Sequence, residues 1–300
     1  MTTLRLGVAP HRLWADGERE LDGVLEAAVF AEELGFDHVI ASSHVLETEV
    51  GVTPDPLVTL SAIAGATTRI GVVTSVLILP LYNPVVLAHQ TATLDRLSRG
   101  RFTLGVGTGW DRAEFDAVGV PFDGRGARAD AHLARLRTLW RGEDPGLRLG
   151  VAPRTPGGPK VWVGGHSDAA LRRAVRHGDA WHGSAVEPAA LAQVRGRLAE
   201  LADAHAERDG RAPSPTALTA GGFVVPPGFT AVGRAPGHLL GGERATALSI
   251  LDELAELAET GLSSYSLWLP VPTPQLHDAM AWLADEVLAA LAKPGAAPSR

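Results

Sequence analysis

The feature that most constrains the fold of this 300-residue chain is a regular alternation of short apolar runs with amphipathic helical segments. The apolar runs are rich in branched side chains and predict strands, whereas the intervening segments place apolar residues at helical spacing. In the segment 20–34, Leu21, Val24 and Leu25 share one face, and Gly35 ends the helix. Predicted strands cover 4–9, 37–41, 70–76, 102–106, 160–163, 179–182, 216–225 and 264–269, and predicted helices cover 20–34, 55–66, 83–97, 125–140, 168–177, 188–208, 243–260 and 275–291.

Eight strands that alternate with helices predict the α/β class and a single-domain (β/α)8 TIM-like barrel over 1–293. An open doubly wound sheet is the alternative architecture. Eight strand–helix units of similar, short length, with no point at which the strand order reverses, favour a closed barrel instead. A Gly/Pro-rich loop is predicted over 144–159, and the tail 294–300 is expected to be disordered.

Charge and composition exclude several classes of protein. The formal net charge is -7 and the sequence has no cluster of basic residues, which argues against a nucleic-acid partner. No apolar run reaches the length of about 18 residues that a membrane span needs, and the N-terminus lacks a signal-peptide pattern, so a cytoplasmic protein is expected. The absence of cysteine removes disulfides, thiolate metal sites and cysteine nucleophiles.

The residues at the predicted strand ends exclude further chemistries, because the active site of such a barrel lies at the carboxyl ends of its strands. A Schiff-base enzyme needs a lysine there, but Lys160 opens its strand at the other end and Lys293 lies near the tail. Neither a His-x-His pair nor a carboxylate cluster follows a strand, so neither a metal site nor a glycosidase site is predicted. The chemistry at the carboxyl ends of the strands, the mouth of the barrel, is therefore expected to depend on a planar cofactor.

Two glycine-rich turns are the candidate phosphate sites of that cofactor. Gly107-Thr108-Gly109 and Gly164-Gly165-His166-Ser167 each follow a predicted strand, and the second directly precedes a helix. Backbone N–H groups in such turns and at helix N-termini attract anions. A GxGxxG dinucleotide fingerprint starting at Gly105 would need glycine where Trp110 stands, so a Rossmann site is not predicted.

Several motifs give the chain a family resemblance. It resembles the luciferase-like monooxygenase superfamily, and within it the oxidoreductases that depend on the deazaflavin coenzyme F420. The resemblance implies a TIM-like barrel, in agreement with the strand pattern, and covers nearly the whole chain. The motifs that carry it are DPLVTL at 55–60, TTRIG at 67–71, LPLYNP at 79–84, QTATLDRLSRGRFTLGVGTGW at 90–110, WVGG at 162–165 and GDAWH at 178–182.

The resemblance also implies roles for individual residues. His44 matches the histidine that approaches the redox carbon in several deazaflavin enzymes, where it either manages a proton or only packs on the cofactor. The aspartate that commonly precedes this histidine is Ser43 here, which argues against orientation of His44 by that neighbour. Ser75 and Val76 match the site of a non-proline cis peptide behind the cofactor ring. The full set of expected cofactor-binding residues is Ser43, Ser75, Val76, Gly107, Thr108, Gly109, Gly164, Gly165, His166 and Ser167.

The expected activity is transfer of a hydride between F420 and a small organic substrate, such as a secondary metabolite or a modified peptide. The substrate pocket is expected to include His11, Trp14, Trp110 and Trp181. Trp110 stands where sugar-phosphate dehydrogenases of the family have glutamate, which argues against that substrate. The alternatives are a reduced-FMN-dependent monooxygenase on the same barrel and a non-catalytic flavin-binding protein. A homodimer is implied by family habit alone.

Overall fold

Parallel strands close into a barrel in the computed structural model, which describes residues 4–11, 23–47, 51–209, 216–233, 235 and 237–292. The strands are β1 (Arg5–Val8), β2 (His38–Ala41), β3 (Gly71–Thr74), β4 (Leu77–Ile78), β5 (Phe102–Gly107), β6 (Lys160–Gly164), β7 (Ala180–Ser184), β8 (Ala217–Phe223) and β9 (Leu262–Trp268). The sheet order is β3-β2-β1-β9-β8-β7-β6-β5, and a pairing of β3 with β5 closes it. The predicted eight-stranded barrel is confirmed, while Trp14 and the tail 294–300 lie outside the described residues.

One predicted strand is divided in two. The apolar run 70–76 was expected to continue as a single strand, but its ladder stops at Thr74 and resumes at Leu77 as β4, which pairs with Val106 and Gly107 of β5. The peptide between Ser75 and Val76 is cis. The interruption lies at the carboxyl end of the barrel, where the site residues are expected.

The helices alternate with the strands and surround the barrel. They are α1 (Val24–Leu34), α2 (Pro56–Ala66), α3 (Pro84–Leu97), α4 (Arg112–Val118), α5 (Arg125–Arg141), α6 (Asp168–His177), α7 (Pro188–Asp209), α8 (Ala247–Glu259) and α9 (Leu276–Leu283), which continues through a π turn (Ala284–Leu288) into α10 (Ala289–Leu291). Two boundaries follow cap chemistry: Asp55 caps α2 and Asn83 caps α3, each directly before a proline. Among the helices of the described residues, none is long and apolar enough to cross a membrane.

The structure corrects the predicted helices at two points. The helix predicted over 243–260 begins only at Ala247, because Thr246 and Ser249 form a capping box there. No element is predicted between the strand 102–106 and the helix that starts at 125, yet this connection contains the short helix α4, capped by Asp111 and ended by Gly119. The predicted loop 144–159 contains neither helix nor strand.

Alternation along the strands separates two apolar layers. One set of side chains packs between the barrel and the helices and forms the main core. The other set points into the barrel and is smaller; it consists of Ala9, Ile40, Val73, Trp162, Ala180, Phe223 and Trp268. Polar side chains complete the interior: His38 and His182 are both buried, and the ring of Trp162 stacks on His182 with centroids 5.2 Å apart. The barrel interior therefore holds fixed polar groups directly below the carboxyl end.

Candidate active site

A buried imidazole fixes the position of Ser75 at the bottom of the site. Thr219 Oγ1 donates to the Trp181 carbonyl at 3.0 Å and therefore accepts a hydrogen bond from His182 Nδ1 at 2.9 Å. His182 Nε2 is then the acceptor for the Ser75 hydroxyl, 3.0 Å away. Burial lowers the pKa of His182 to about 3, with smaller contributions from His38 and His166. The imidazole thus stays neutral and acts as a fixed acceptor.

Val76 covers the glycines of the two neighbouring strands. A Cβ atom on Gly107 would lie 2.8 Å from Val76 Cγ2, and one on Gly164 would lie 3.3 Å from Val76 Cγ1. Such distances are shorter than ordinary van der Waals contacts, so side chains at these two positions would displace Val76. The glycines at the carboxyl ends of β5 and β6 are therefore needed to seat Val76, whether or not a ligand approaches them.

His44 forms a part-buried hydrogen bond with Glu114, the acidic residue at the third position of α4. His44 Nδ1 lies 3.1 Å from Glu114 Oε2, and the Val45 backbone N–H donates to Glu114 Oε1 at 2.5 Å. The Glu114 side chain is fully buried, whereas that of His44 remains 13% exposed. Since both carboxylate oxygens act as acceptors, Nδ1 carries the proton and Nε2 is the nitrogen left for the mouth of the barrel.

The loop that carries His44 is also fixed through its backbone. The His44 N–H donates to Thr53 Oγ1 at 2.8 Å, and the Thr53 hydroxyl lies 3.2 Å from the His44 carbonyl. Ser43 is buried and its hydroxyl bonds to Tyr82; burial is the main reason that the pKa of Tyr82 rises to about 12. The segment after β2 is therefore held on both sides of His44.

Glu114 is a candidate site residue that the sequence did not predict. The search for a partner of His44 considered only the preceding position, which is Ser43, whereas the carboxylate comes from 70 positions further along the chain. A signal was present: Asp111 followed three residues later by Glu114 is the pattern of a helix N-terminus. Recognition of this pattern would have predicted α4 and a carboxylate in its first turn.

The four residues expected to line a substrate pocket have different environments. Trp110 is 53% exposed and contacts the edge of the His44 ring, with centroids 5.7 Å apart, so it lies at the mouth. His11 is buried beside Trp268. Trp14 is outside the described residues. Trp181 has a role different from the expected one: it is fully buried between barrel and helices, and its indole N–H donates to the Gly165 carbonyl at 2.8 Å.

Packing explains one glycine of the first candidate phosphate turn. Gly109 has a φ of 74°, which favours glycine, and a Cβ atom there would lie 2.7 Å from Ile78 Cγ2. Arg125 Nε donates to the Gly109 carbonyl at 3.1 Å and holds the turn in place. Thr108 is half-buried between the two glycines. Its hydroxyl is the polar side-chain group that this turn offers to a ligand.

The second turn leads into the N-terminus of α6. Ser167 caps this helix by accepting the Ala170 N–H at 3.2 Å, and exposed His166 accepts the Ser184 N–H at 3.4 Å. Asp168 in the first turn would repel an anion, but Arg197 and Arg172 both pair with it and lower its pKa. This countercharge leaves the N-terminal dipole of the helix available to a phosphate.

Comparison with known proteins identifies the family. The luciferase-like monooxygenase family model matches residues 6–226. The chain belongs to the luciferase-like monooxygenase family. An uncharacterized protein of Mycobacterium tuberculosis is 34% identical over 157 residues, which are 49% of this chain and 54% of that protein. An F420-dependent glucose-6-phosphate dehydrogenase of Amycolatopsis mediterranei is 39% identical over 134 residues, or 43% of this chain and 39% of that enzyme. The chain thus spans about half or less of the length of these relatives.

Solved structures of a monooxygenase and of an F420-dependent enzyme share the fold of this chain. The monooxygenase RslO1 from Streptomyces bottropensis aligns with a TM-score of 0.75 at 21% identity, over 95% of this chain and 99% of that one. An F420-dependent secondary alcohol dehydrogenase in complex with an F420-acetone adduct aligns with a TM-score of 0.77 at 18% identity, over 96% and 99% of the two chains. A monooxygenase and an F420-dependent dehydrogenase thus share the barrel fold of this chain.

Proposed function

We propose that this protein is an F420-dependent oxidoreductase that transfers a hydride between the deazaflavin and a small organic substrate. The observation that carries the proposal is the pair formed by His44 and buried Glu114 at the carboxyl end of the barrel. It provides one oriented proton-transfer group at the place where an enzyme of this fold performs its chemistry. The F420-dependent relatives in the family support the choice of cofactor.

The residues at this end of the barrel fit a phosphorylated planar cofactor. Thr108 and the N-terminus of α6, capped by Ser167, supply the hydroxyl and amide donors that a phosphate requires. Val76 presents an apolar side chain at the interruption between β3 and β4, against which a ring can pack. When bound, the deazaflavin supplies or accepts the hydride, that is, two electrons and one proton.

His44 supplies the remaining proton of the reaction. Its Nδ1–H is held by Glu114, so a proton on Nε2 has a defined direction, and Nε2 has no hydrogen-bond partner among the described residues. In the reducing direction, Nε2 donates its proton to the substrate oxygen or nitrogen while hydride reaches the adjacent carbon. The Glu114 carboxylate holds the imidazole in the orientation that this step requires, because it accepts from Nδ1.

Trp110 directs the substrate class toward apolar molecules. It is half-exposed beside His44, and an indole at this place gives the pocket an apolar wall. The family resemblance implies glutamate at this position in sugar-phosphate dehydrogenases. We therefore propose an apolar or extended organic substrate, such as a secondary metabolite or a modified peptide, in a cytoplasmic homodimer.

Parallel titration of the purified protein with F420 and with FMN, followed by fluorescence, tests the choice of cofactor. We expect saturable binding of F420 at micromolar or lower concentration and much weaker binding of FMN. A preference for FMN would establish the reduced-FMN monooxygenase instead. Reduced F420 is then offered a panel of small ketones, aldehydes, imines and activated alkenes, and its oxidation is followed. Binding of F420 without oxidation by any of them would favour a non-catalytic cofactor-binding protein.

A further inference from the structure

A second cavity lies at the opposite end of the barrel, where the strands begin. It has a volume of about 370 Å³ and is lined by residues from the starts of most barrel strands. Arg5 is the first residue of β1 and Lys160 the first residue of β6; Arg101 directly precedes β5, and Arg69 lies two residues before β3. Four cationic side chains thus converge on this cavity in a protein whose formal net charge is -7.

The two carboxylates in the lining already have partners. Asp179 Oδ2 accepts hydrogen bonds from Arg137 Nη2 and from the Val161 N–H, each at 2.7 Å. Asp37 Oδ2 lies 3.1 Å from His38 Nδ1. Burial raises the pKa of Asp37, but the contact with His38 and the charges of Arg5 and Lys160 outweigh burial and lower it. The cations of the lining therefore exceed the carboxylates that face them.

The cationic side chains differ in how many donors remain available. Arg101 uses its guanidinium nitrogens in five hydrogen bonds to Ser98, Thr67, Ile70 and Ala64, so it contributes only charge. Arg5 uses Nε alone, in a long contact of 3.4 Å with the Ser263 carbonyl. Within the part of the chain that the structure describes, the Lys160 ammonium makes no hydrogen bond and no ion pair within 4 Å. Arg5 and Lys160 begin strands on opposite sides of the barrel, so their free donors face each other across the cavity.

We propose that the cavity lined by Arg5 and Lys160 binds a small dianion of the phosphate class. A tetrahedral dianion with several acceptor oxygens can bond to an ammonium on one side and a guanidinium on the other. The hydroxyl of Thr103, which also lines the cavity, is a further polar group at this end. This site is independent of the cofactor site at the carboxyl end, which lies beyond the buried rings of Trp162 and His182.

Isothermal titration of the full chain with sodium phosphate, against sodium chloride at the same ionic strength, tests the proposal. We expect a saturable component with one site that weakens about tenfold or more in Lys160→Met, because a charge-assisted hydrogen bond is lost. Lys160→Arg is expected to retain binding, since it keeps the charge and donors. Arg141→Gln removes an exposed cation outside the cavity and is expected to leave binding unchanged. Arg5→Gln provides a second test in case Lys160→Met does not fold, as judged by circular dichroism.

One further variant and two further ligands locate the anion. Ser167→Ala alters the candidate phosphate turn at the carboxyl end of the barrel. If phosphate binding is lost in Ser167→Ala and kept in Lys160→Met, the phosphate binds at the carboxyl end and the proposal is wrong. Absence of saturable binding to the wild-type protein also overturns it. Sulfate and pyrophosphate are titrated in the same way. Binding of sulfate indicates a site for any tetrahedral dianion, whereas binding of pyrophosphate indicates a site for a phosphoryl group carried on a larger molecule. Whichever ligand binds is expected to bind more weakly to Lys160→Met.

Discussion

The two ends of the barrel use their polar side chains in different ways. At the carboxyl end, the polar contacts are few and directed: Glu114 holds one nitrogen of His44 and leaves the other available. At the amino end, side chains such as Arg101 and Glu32 satisfy several backbone groups at once. The first arrangement leaves one ring nitrogen of His44 available at a strand end, and the second connects the strands and helices of the barrel to one another. We propose that hydride transfer takes place at the carboxyl end, whereas these contacts of Arg101 and Glu32 stabilise the amino end.

Arg101 shows how the amino end is held together. Its Nη1 and Nη2 donate to the carbonyls of Ile70, Ala64 and Thr67, at distances of 2.6 to 3.0 Å, and Nε donates to the Ser98 carbonyl at 2.7 Å. It therefore ties the end of α2, the start of β3 and the end of α3 to β5. A planar guanidinium can satisfy such a set of carbonyls, whereas an ammonium cannot.

Substitution of Glu114 is expected to have the largest effect on function. In Glu114→Gln, the amide oxygen can keep the Val45 N–H, but the amide NH2 cannot accept from His44 Nδ1–H and no longer orients the ring. Hydride transfer to the fastest acceptor of the panel should therefore slow about 100-fold or more. Asp116→Asn, an exposed carboxylate on the same helix, is the matched control and should leave the rate unchanged.

A spectroscopic measurement separates orientation of His44 from loss of fold. In the wild-type protein, the His44 Nδ1–H should give a slowly exchanging imidazole proton resonance by NMR, because Glu114 is fully buried. This resonance should disappear or shift in Glu114→Gln while the backbone spectrum is retained. An unchanged resonance and an unchanged rate would show that the pair does not act on the reaction.

Arg101→Met is expected to cost stability rather than chemistry. Loss of its hydrogen bonds to buried carbonyls should lower the free energy of unfolding by about 3 kcal/mol, with Arg101→Lys recovering only part of it. Chemical denaturation monitored by circular dichroism measures the change. Arg99→Met, an exposed neighbour, should stay within about 0.5 kcal/mol of wild type. An equal decrease in the free energy of unfolding in Arg101→Met and Arg99→Met would show that the hydrogen bonds of Arg101 do not stabilise the amino end.

Glu32 gives a smaller and pH-dependent effect at the same end. Burial raises the pKa of Glu32, but hydrogen bonds from the Ile70, Arg69 and Thr68 backbone and from the Thr68 hydroxyl outweigh it and lower the pKa to about 2. The carboxylate therefore stabilises the fold above pH 4.5, and this contribution is lost as the pH falls from 4.5 through about 2. Glu32→Gln should lower the free energy of unfolding by about 1 kcal/mol at neutral pH.

The pH dependence is the sharper part of that prediction. The stabilities of wild type and Glu32→Gln should converge in acid, whereas Glu33→Gln, the exposed neighbouring carboxylate, should follow the wild type at all pH values. A constant difference between wild type and Glu32→Gln down to low pH would contradict the role assigned to the ionised carboxylate.

The barrel could be predicted from sequence because it rests on local signals. Apolar periodicity, Asp55 and Asn83 as caps, and glycines at helix ends all act within a few residues. The division of the third strand at Ser75 and Val76 could not be read from the apolar pattern, which continues through it. The resemblance to the family was the signal that drew attention to those two residues.

The site was predicted less completely because its decisive contacts are long-range. His44 was found as a candidate, but Glu114 reaches it from 70 residues away through a helix that was not predicted. Trp181 lies on a strand that leads to the site. The alternation of side chains along this strand turns its ring away from the barrel interior, and the ring is fully buried between barrel and helices. The charges at the amino end appeared as isolated basic residues until closure of the barrel brought Arg5 and Lys160 around one cavity.

A crystal structure of the protein with F420 bound tests the central division between the two ends most directly. We expect the deazaflavin ring against Val76 at the carboxyl end, with His44 Nε2 within about 4 Å of the substrate position beside its redox carbon. Electron density for the ring at another place, or a separation from His44 too large for one bridging water, would contradict the proposed function.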